Sequence, residues 1–352
     1  MADARVNPAV TARTGELARE FVAGQPFRHL VIDEFFDPAF AEQLEAAFPS
    51  FDAELAVNED GAVGGKAVHE RLPDLGGPWA KLHELSRSRV FLDFIGALTD
   101  IDKLQFDPWY FGGGTHENRH GQDLDPHVDF NYHPITRQHR RLNLIVYFEQ
   151  DWAPAWGGAL DLHRNPRLAP DEDEIKRVPV AFNRAVLFET TESSWHGFER
   201  IELPDDIRGR SRRSFALYFY TDERPAAETA KPHSTIYVER HLPDRFRPGM
   251  VLGEADVAEL HTMLGRRDQH LERLYRHISD LTARVEPRAD GERIEEDLSE
   301  LSPEELVLRL AASEQARDSF EDQIAELYRS TSWRLTAPLR ALRRLFVRNR
   351  DA

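Results

Sequence analysis

The sequence contains no cysteine among its 352 residues. The absence of thiols excludes disulfide bonds, zinc sites built on thiolates and catalysis by a cysteine nucleophile. The sequence also has no apolar run that approaches the length of a membrane-spanning helix. Its opening stretch, MADARVNPAVTARTGELARE, lacks the apolar segment of a signal peptide, so we expect a cytoplasmic protein.

Positive charge is scarce as well. Lysine and arginine number 45 against 62 aspartates and glutamates, and the formal net charge is −17. A nucleic-acid binder neutralises phosphates with clustered lysines and arginines, so we expect no nucleic-acid partner. The final segment, STSWRLTAPLRALRRLFVRNRDA, departs from this balance because it is rich in arginine and apolar residues.

Short apolar stretches of alternating character fill the middle of the chain, from about residue 104 to 221. Glycine, proline, asparagine and aspartate separate them, a pattern typical of antiparallel barrels and jelly rolls. Ahead of them, PFRHLVIDEFFDPAF predicts a strand and then a helix that Asp37 caps and Pro38 begins. We predict a mainly β domain with flanking helices, an α+β organisation, over residues 26–240. A flexible N-terminal segment, residues 1–25, precedes it.

The pattern becomes helical after about residue 250. Leucines recur there at the spacing of a coiled coil, so we predict a coiled-coil-like helix over residues 251–285. Such a helix would support a homo-oligomer through residues 255–285. An acidic linker, residues 286–301, and a helix with a basic amphipathic tail, residues 302–352, complete the predicted C-terminal appendage.

The stretch LDPHVDFNYH contains a candidate pair of metal ligands. His127 and Asp129 are two residues apart, so on a strand their side chains leave the same face. Two histidines and one carboxylate form a facial triad that binds Fe(II) and leaves coordination positions open. The candidate third ligand is His196, which follows the predicted strand RAVLFET. The pair alone is also common in polar surface turns, which is the alternative interpretation.

The stretch RRSFALYFY suggests an anion site. On a strand, Arg213 shares its face with apolar residues such as Phe215 and Leu217, so its guanidinium is expected to be buried and to need an anion. A dicarboxylate that chelates a metal with one end would offer its far carboxylate to this arginine. The alternative is an internal salt bridge to an aspartate or glutamate.

The stretch RLNLIVYFE presents two different faces. Asn143, Ile145 and Tyr147 lie on one face and a row of apolar residues on the other. We expect the first face to point into a ligand pocket, where Asn143 lies beside the ligand and Tyr147 adds a hydroxyl to the carboxylate contact. Simple packing is the alternative role for the tyrosine.

Taken in order, four stretches resemble the 2-oxoglutarate- and Fe(II)-dependent dioxygenase superfamily, in its prolyl 4-hydroxylase-like branch. The stretches are PHVDF, RLNLIVYFEQDWAPAWGGALDLH, NRAVLFETTESSWHGFE and RRSFALYFYT. The resemblance extends over roughly residues 26–222. It implies a double-stranded β-helix, or jelly roll, with helices packed on one side.

The resemblance also implies the site residues and the cofactors. His127, Asp129 and His196 would bind Fe(II), and Arg213 with Tyr147 would hold the distal carboxylate of 2-oxoglutarate. The implied reaction consumes O2, converts 2-oxoglutarate into succinate and CO2, and hydroxylates a C–H bond, with L-ascorbate as an accessory. The insert RIELPDDIRGRSR lengthens the gap before Arg213. Its arginines Arg208, Arg210 and Arg212 therefore stay open as alternatives for the anion contact.

The tail resembles segments of bacterial glycosyltransferases that assemble surface polysaccharides. Apolar residues beside arginines describe an interfacial amphipathic helix, so residues 327–350 are expected to contact a membrane surface or a glycosyltransferase. That contact would place a cytoplasmic protein at the inner face of the membrane. A solvated basic tail is the alternative.

Three functions therefore compete at this point. The first is a dioxygenase that hydroxylates a small-molecule, peptidyl or glycan substrate, including a prolyl residue or a sugar. The second is a catalytically silent jelly-roll scaffold whose tail recruits polysaccharide-assembly enzymes. The third is a cupin-like sugar isomerase or binding protein, which would not need an arginine paired with a facial triad.

Overall fold

The computed structural model describes residues 3–50, 67–243 and 245–285. The chain divides into two compact units, Met1–Leu274 and Tyr275–Ala352. The first unit contains every strand of the described residues. The predicted acidic linker, residues 286–301, and the predicted helix and tail, residues 302–352, lie outside the described residues.

The N-terminal residues form two helices, α1 (Pro8–Ala12) and α2 (Thr14–Ala23). Val10, Leu17 and Phe21 are buried against the main core. The prediction of a flexible segment over residues 1–25 is wrong for residues 3–25, because burial of each such side chain stabilises the folded state by about 1.5–3 kcal/mol and offsets the loss of chain entropy.

A layer of three helices covers one side of the β-core: α3 (Pro38–Ala46), α4 (Gly77–Ser86) and α5 (Arg89–Thr99). The helix start predicted at Asp37 is confirmed, since its carboxylate accepts a hydrogen bond from the Phe40 amide at 3.2 Å. Helix α5 begins in the same way, with the Ser88 hydroxyl accepting from the Phe91 amide. Both caps satisfy amides that have no partner inside the helix.

Two antiparallel sheets form the β-core. The major sheet contains, in spatial order, β1 (His29–Ile32), β9 (Ala185–Glu189), β6 (His139–Tyr147), β11 (Arg212–Thr221), β4 (Gly114–Asn118) and β2 (Ala67–His69), with β3 (Gln105–Phe106) paired to β11. The minor sheet contains β12 (Ile236–Tyr237), β5 (Leu124–Val128), β10 (Trp195–Phe198), β7 (Leu160–His163) and β8 (Ile175–Val178). The predicted jelly-roll core with flanking helices is confirmed.

The central strands β6 and β11 have two buried faces with different surroundings. Leu144 of β6 and Leu217 of β11 lie directly opposite each other and pack in the core that the helices cover. The residues that alternate with them, such as Asn143 and Ala216, line a cavity on the other side of the sheet. The polar face of β6 therefore faces the cavity, as predicted.

Helix α6 (Glu254–Val285) confirms the helical pattern predicted after residue 250. Its residues up to Leu274 belong to the same compact unit as the β-core. The prediction that residues 251–285 are separate from the core is therefore wrong for the residues up to Leu274. Pairing of this helix into a coiled coil, and oligomerisation through residues 255–285, stay predictions. No helix in the described part of the chain has the length and apolarity needed to cross a bilayer.

Asn183 ties the N-terminal part of the chain to the turn before β9. Its amide group accepts a hydrogen bond from the Phe36 amide at 2.9 Å and donates to the Phe36 carbonyl at 2.8 Å. Its backbone has a φ of 57°, a left-handed conformation that asparagine tolerates better than most residues. The side chain is 3% exposed, so both bonds are shielded from water.

We expect Asn183→Ala to lower the free energy of unfolding by about 2–4 kcal/mol, because it strands two buried backbone groups and strains the left-handed backbone. Asn183→Gly is the matched control. It removes the same hydrogen bonds without the strain, so its loss should be smaller. Denaturant unfolding of the three proteins measures the effect, and an alanine variant within about 0.5 kcal/mol of the wild type would contradict this role.

Candidate metal centre

Two neighbouring strands of the minor sheet bring the predicted ligands together. His127 on β5 lies directly opposite His196 on β10, and Asp129 follows the end of β5. One ligand atom from each residue lies within 4.8 Å of the others. All three residues are less than 10% exposed. The structure therefore places His127, Asp129 and His196, hereafter the trio, in one buried cluster.

Backbone carbonyls orient both imidazoles. Nδ1 of His127 lies 2.9 Å from the Asp125 carbonyl, and Nδ1 of His196 lies 2.9 Å from the Ser194 carbonyl. Since a carbonyl only accepts, Nδ1 carries the proton in each ring and Nε2 keeps a lone pair. The Nε2 atoms face Asp129, at 3.7 Å for His127 and 3.5 Å for His196. This tautomer is the one in which Nε2 binds a metal ion.

The protonation states also suit a metal centre. Burial lowers the pKa of His196 despite the nearby charge of Asp129, so the ring is neutral at neutral pH. For Asp129, burial acts to raise the pKa, but Arg140, the two histidines and the hydrogen bond from Asn143 together outweigh it and hold the pKa well below its usual range. The trio therefore combines two imidazoles whose Nε2 atoms face the metal position with one ionised carboxylate.

Arg140 and Asn143 fix the carboxylate of Asp129. The amide nitrogen of Asn143 donates to Asp129 Oδ2 at 2.7 Å, and Arg140 Nη2 lies 3.1 Å from the same oxygen. Arg140 also donates to the amide oxygen of Asn143, through Nε at 3.0 Å and Nη2 at 2.8 Å. Asn143 was expected to contact the ligand of the pocket, but both ends of its amide are engaged within the centre.

Arg140 itself was not predicted as part of the site. It is fully buried, and its guanidinium lies 3.5 Å from the ring centroid of Tyr218 and 4.4 Å from that of Phe130. By simple alternation it would point away from Asn143. The register between β6 and β11 shifts at this point, so that Arg140 turns to the same side. Such a β-bulge redirects a side chain. The sequence pattern of β6 did not predict the bulge.

The predicted anion contact at Arg213 is wrong. The guanidinium of Arg213 is paired with the buried carboxylate of Glu149 and lies 3.7 Å from Glu45. Arg213 does share a face with Phe215 and Leu217, as expected, but that face packs against the helices. The face of β11 that carries Arg213 is the more apolar one, whereas the cavity lies on the other face.

Arg212, one of the open alternatives, occupies the cavity instead. It is 4% exposed. Its Nε donates to the Gly158 carbonyl at 2.7 Å, and its Nη2 donates to the hydroxyl of Tyr147 at 3.1 Å. A third contact joins Nη1 to the side-chain oxygen of Asn118 at 3.4 Å. Tyr147 thus lies beside Arg212 rather than Arg213, and its contact with a ligand carboxylate stays a prediction.

Arg212 has no acidic partner among the described residues. No carboxylate there lies within 4.0 Å of its guanidinium, and burial lowers its pKa with only Tyr147 acting in the opposite direction. Gly158, with a φ of +74°, allows this packing, because a Cβ there would lie 3.0 Å from Arg212 Cδ. The other two alternatives have acidic partners, Asp205 for Arg208 and Glu149 for Arg210.

The trio and Arg212 line the same cavity, which has a volume of about 1030 Å³. Ser214, Ala216 and Tyr218 of β11 form part of its wall. The cavity therefore contains a set of neutral and anionic ligand atoms suited to a cation, together with a buried cation suited to an anion. A ligand that chelates a metal and ends in a carboxylate matches both features.

Comparison with known proteins agrees with this chemistry. The class that the fold and the trio define is a double-stranded β-helix protein with a candidate metal centre. Residues 113–220 match the model of the 2OG-Fe(II) oxygenase superfamily. The matched stretch contains the trio and Arg212, and the resemblance noted in the sequence is confirmed there. No curated protein matches the chain.

Three solved structures illustrate the similarity. A prolyl hydroxylase from Trichoplax adhaerens, in complex with a hypoxia inducible factor peptide fragment, is 14% identical, with a TM-score of 0.44 over 62% of this chain and 96% of that chain. A prolyl-4-hydroxylase from Pseudomonas putida is 17% identical, with a TM-score of 0.39 over 59% and 98%. HygX from Streptomyces hygroscopicus, with nickel and 2-oxoglutarate bound, is 12% identical, with a TM-score of 0.40 over 61% and 95%.

We expect Arg140→Met to lower the free energy of unfolding of the metal-free protein by about 3–5 kcal/mol, because it leaves the carboxylate of Asp129 buried without its countercharge. Adding Asp129→Asn removes that charge and should recover part of the loss. The packing of Arg140 on Tyr218 is not restored, so recovery stays incomplete. Denaturant unfolding of the two single variants and the double variant gives the coupling energy, and a coupling near zero would contradict the interaction.

Proposed function

We propose that the protein is an Fe(II)- and 2-oxoglutarate-dependent dioxygenase that hydroxylates a C–H bond of a small-molecule, peptidyl or glycan substrate. The observation that carries the proposal is the buried guanidinium of Arg212, which lies in the same cavity as the trio without an acidic partner among the described residues. Burial of an unpaired charge is costly. A carboxylate ligand at Arg212 offsets that cost.

The residues of the chain fit an iron ion on the evidence of their own hydrogen bonds. His127 and His196 present Nε2 lone pairs because their Nδ1 protons are bound to carbonyls. Asp129 contributes an ionised carboxylate that Arg140 and Asn143 hold in place. These three ligands would hold Fe(II) and leave positions open for 2-oxoglutarate and O2.

The distal carboxylate of 2-oxoglutarate would bind at the other group of polar atoms. Arg212 offers its guanidinium and Tyr147 its hydroxyl. Charge-assisted hydrogen bonds of this kind contribute about 1.5–3 kcal/mol each and select for a carboxylate. The Gly158 carbonyl and Asn118 accept hydrogen bonds from the guanidinium, so that it is oriented before the ligand binds.

When bound, the iron ion would couple the oxidative decarboxylation of 2-oxoglutarate to oxidation of the substrate by O2, which yields succinate and CO2. The part of the protein is to orient the ligands and to exclude water from the cavity. L-ascorbate as an accessory, the prolyl 4-hydroxylase-like branch and the cytoplasmic location stay predictions. The contact of residues 327–350 with a membrane or a glycosyltransferase concerns residues outside the described part of the chain.

Neither of the two competing functions requires both the trio and the buried charge of Arg212. A catalytically silent scaffold needs neither the oriented imidazoles of the trio nor the charge of Arg212. A cupin-like sugar isomerase or binding protein would use the trio but not a buried anion site beside it. The dioxygenase uses both.

Replacement of any member of the trio by alanine should weaken Ni(II) or Fe(II) binding by at least about 100-fold, because each contributes one ligand. Succinate formation should be lost in parallel. His163→Ala is the matched control, since His163 is also buried in the minor sheet but pairs with Asp173. Calorimetry and a succinate assay provide the two readouts. Wild-type protein that binds neither ion would refute the proposal.

The pair Arg212 and Arg213 tests the co-substrate site. Arg212→Met should raise the KM for 2-oxoglutarate by about 10–100-fold, the equivalent of one lost charged contact. Arg213→Met should leave that KM within about twofold, although it lowers the free energy of unfolding because Glu149 loses its partner. Steady-state kinetics of the two variants decides the assignment, and the reverse ranking would restore the original prediction of Arg213.

A further inference from the structure

Helix α6 forms part of the cavity wall, although its sequence predicted a helix in an appendage outside the β-core. Arg266, Gln269 and His270 of this helix line the same cavity as the trio. These residues precede Leu274 and therefore belong to the compact unit of the core. The cavity is incomplete without them.

An ion pair fastens α6 to the strand that carries the first histidine of the trio. Arg266 donates to both carboxylate oxygens of Asp123, at 3.0 and 2.5 Å, and lies 3.7 Å from Asp125. Asp123 directly precedes β5, and Asp125 is part of it. Both carboxylates are nearly buried, with side-chain exposures of 11% and 9%. A bidentate contact to a shielded carboxylate is stronger and more directional than a surface ion pair.

Stacked rings connect α6 to His127. Tyr237 of β12 lies opposite His127 of β5, with ring centroids 5.2 Å apart. His270 of α6 stacks on Tyr237, at 5.0 Å and with an interplanar angle of 20°. The ring of Tyr237 therefore contacts both His127 and His270. The helix covers the minor sheet at the strand where the trio begins.

The charges on this wall are matched. Asp123 and Asp125 face Arg266, and Arg240 donates to Asp125 at 3.2 Å and to the carbonyls of Leu124 and Phe198. Two acids therefore meet two arginines. Removal of Arg266 would leave Asp123 without its bidentate partner and would release the helix from β5.

We propose that residues 254–274 of α6 form a fixed wall of the cavity that limits access to the trio, and that Arg266 is the positioning residue that holds this wall through Asp123. The inference deepens the proposed function by assigning an access-controlling element to its site. It does not depend on a bound metal, because the wall is defined by contacts between side chains of the chain itself.

The test measures access to the trio in the metal-free, full-length protein. Diethyl pyrocarbonate modifies accessible neutral imidazoles, and peptide mass spectrometry gives the rate at each histidine. We expect Arg266→Ala to raise the rates at His127 and His196 by about tenfold, because local release of α6 exposes them. Arg266→Lys should give an intermediate rate, since it keeps the charge but loses the bidentate geometry.

Two histidines and one neighbouring arginine are internal controls. The rates at exposed His241 and at buried His163 should not change. Arg267→Ala removes the same charge at the next residue, from a side chain that is 61% exposed and pairs with Glu239. This variant should leave the trio protected to within about twofold.

A charge exchange completes the design. Combining Arg266→Asp with Asp123→Arg should restore protection, because the pair is re-formed with its signs reversed. Wild-type rates at His127 and His196 in Arg266→Ala would overturn the inference, and so would a parallel rise at His163, which would show general loosening. Failure of the proposed function appears separately, as loss of metal binding by the wild type.

Discussion

Arg212 brings a positive charge into the interior of the β-core without an acidic partner among the described residues. A buried guanidinium is tolerated only where hydrogen bonds satisfy it and an anion can compensate it. Tyr147, Asn118 and the Gly158 carbonyl supply hydrogen bonds, but none of them supplies a full negative charge. The cavity therefore contains a buried positive charge that a carboxylate ligand would compensate.

The trio has the opposite electrostatic character. Asp129 is an ionised carboxylate that contacts Arg140 and Asn143, and carbonyl contacts at Nδ1 direct the Nε2 atoms of the two imidazoles toward it. Such a site accepts a divalent cation without needing to lose protons first. The cavity therefore contains both a candidate cation site, the trio, and a buried positive charge, Arg212. A dicarboxylate that chelates a metal ion would occupy both.

Much of this arrangement was predictable from the sequence, because it depends on strand alternation and chain order. His127 and Asp129 share a strand face, and β10 returns His196 to them in antiparallel register. The choice between Arg212 and Arg213 failed because β11 is buried on both faces. Only tertiary packing shows which face meets helices and which meets the cavity. Alternation alone cannot decide between two apolar faces.

Other features depended on contacts between distant parts of the chain. The inward turn of Arg140 comes from a shift in register that its own sequence does not reveal. The helices of residues 3–25 are stabilised by the main core, so a short, weakly apolar segment looked flexible when considered alone. Helix α6 was recognised from its spacing, but its contribution to the cavity follows from Arg266, which pairs with a strand more than a hundred residues earlier.

The proposed function depends above all on a single ligand that bridges the trio and Arg212. Crystals grown with Ni(II) and 2-oxoglutarate test it most directly, through anomalous scattering from the metal and electron density for the ligand. The account predicts one metal peak bonded to His127, Asp129 and His196, with the distal carboxylate of 2-oxoglutarate on Arg212 and Tyr147. A metal peak elsewhere, or a carboxylate bound at Arg213, would contradict it.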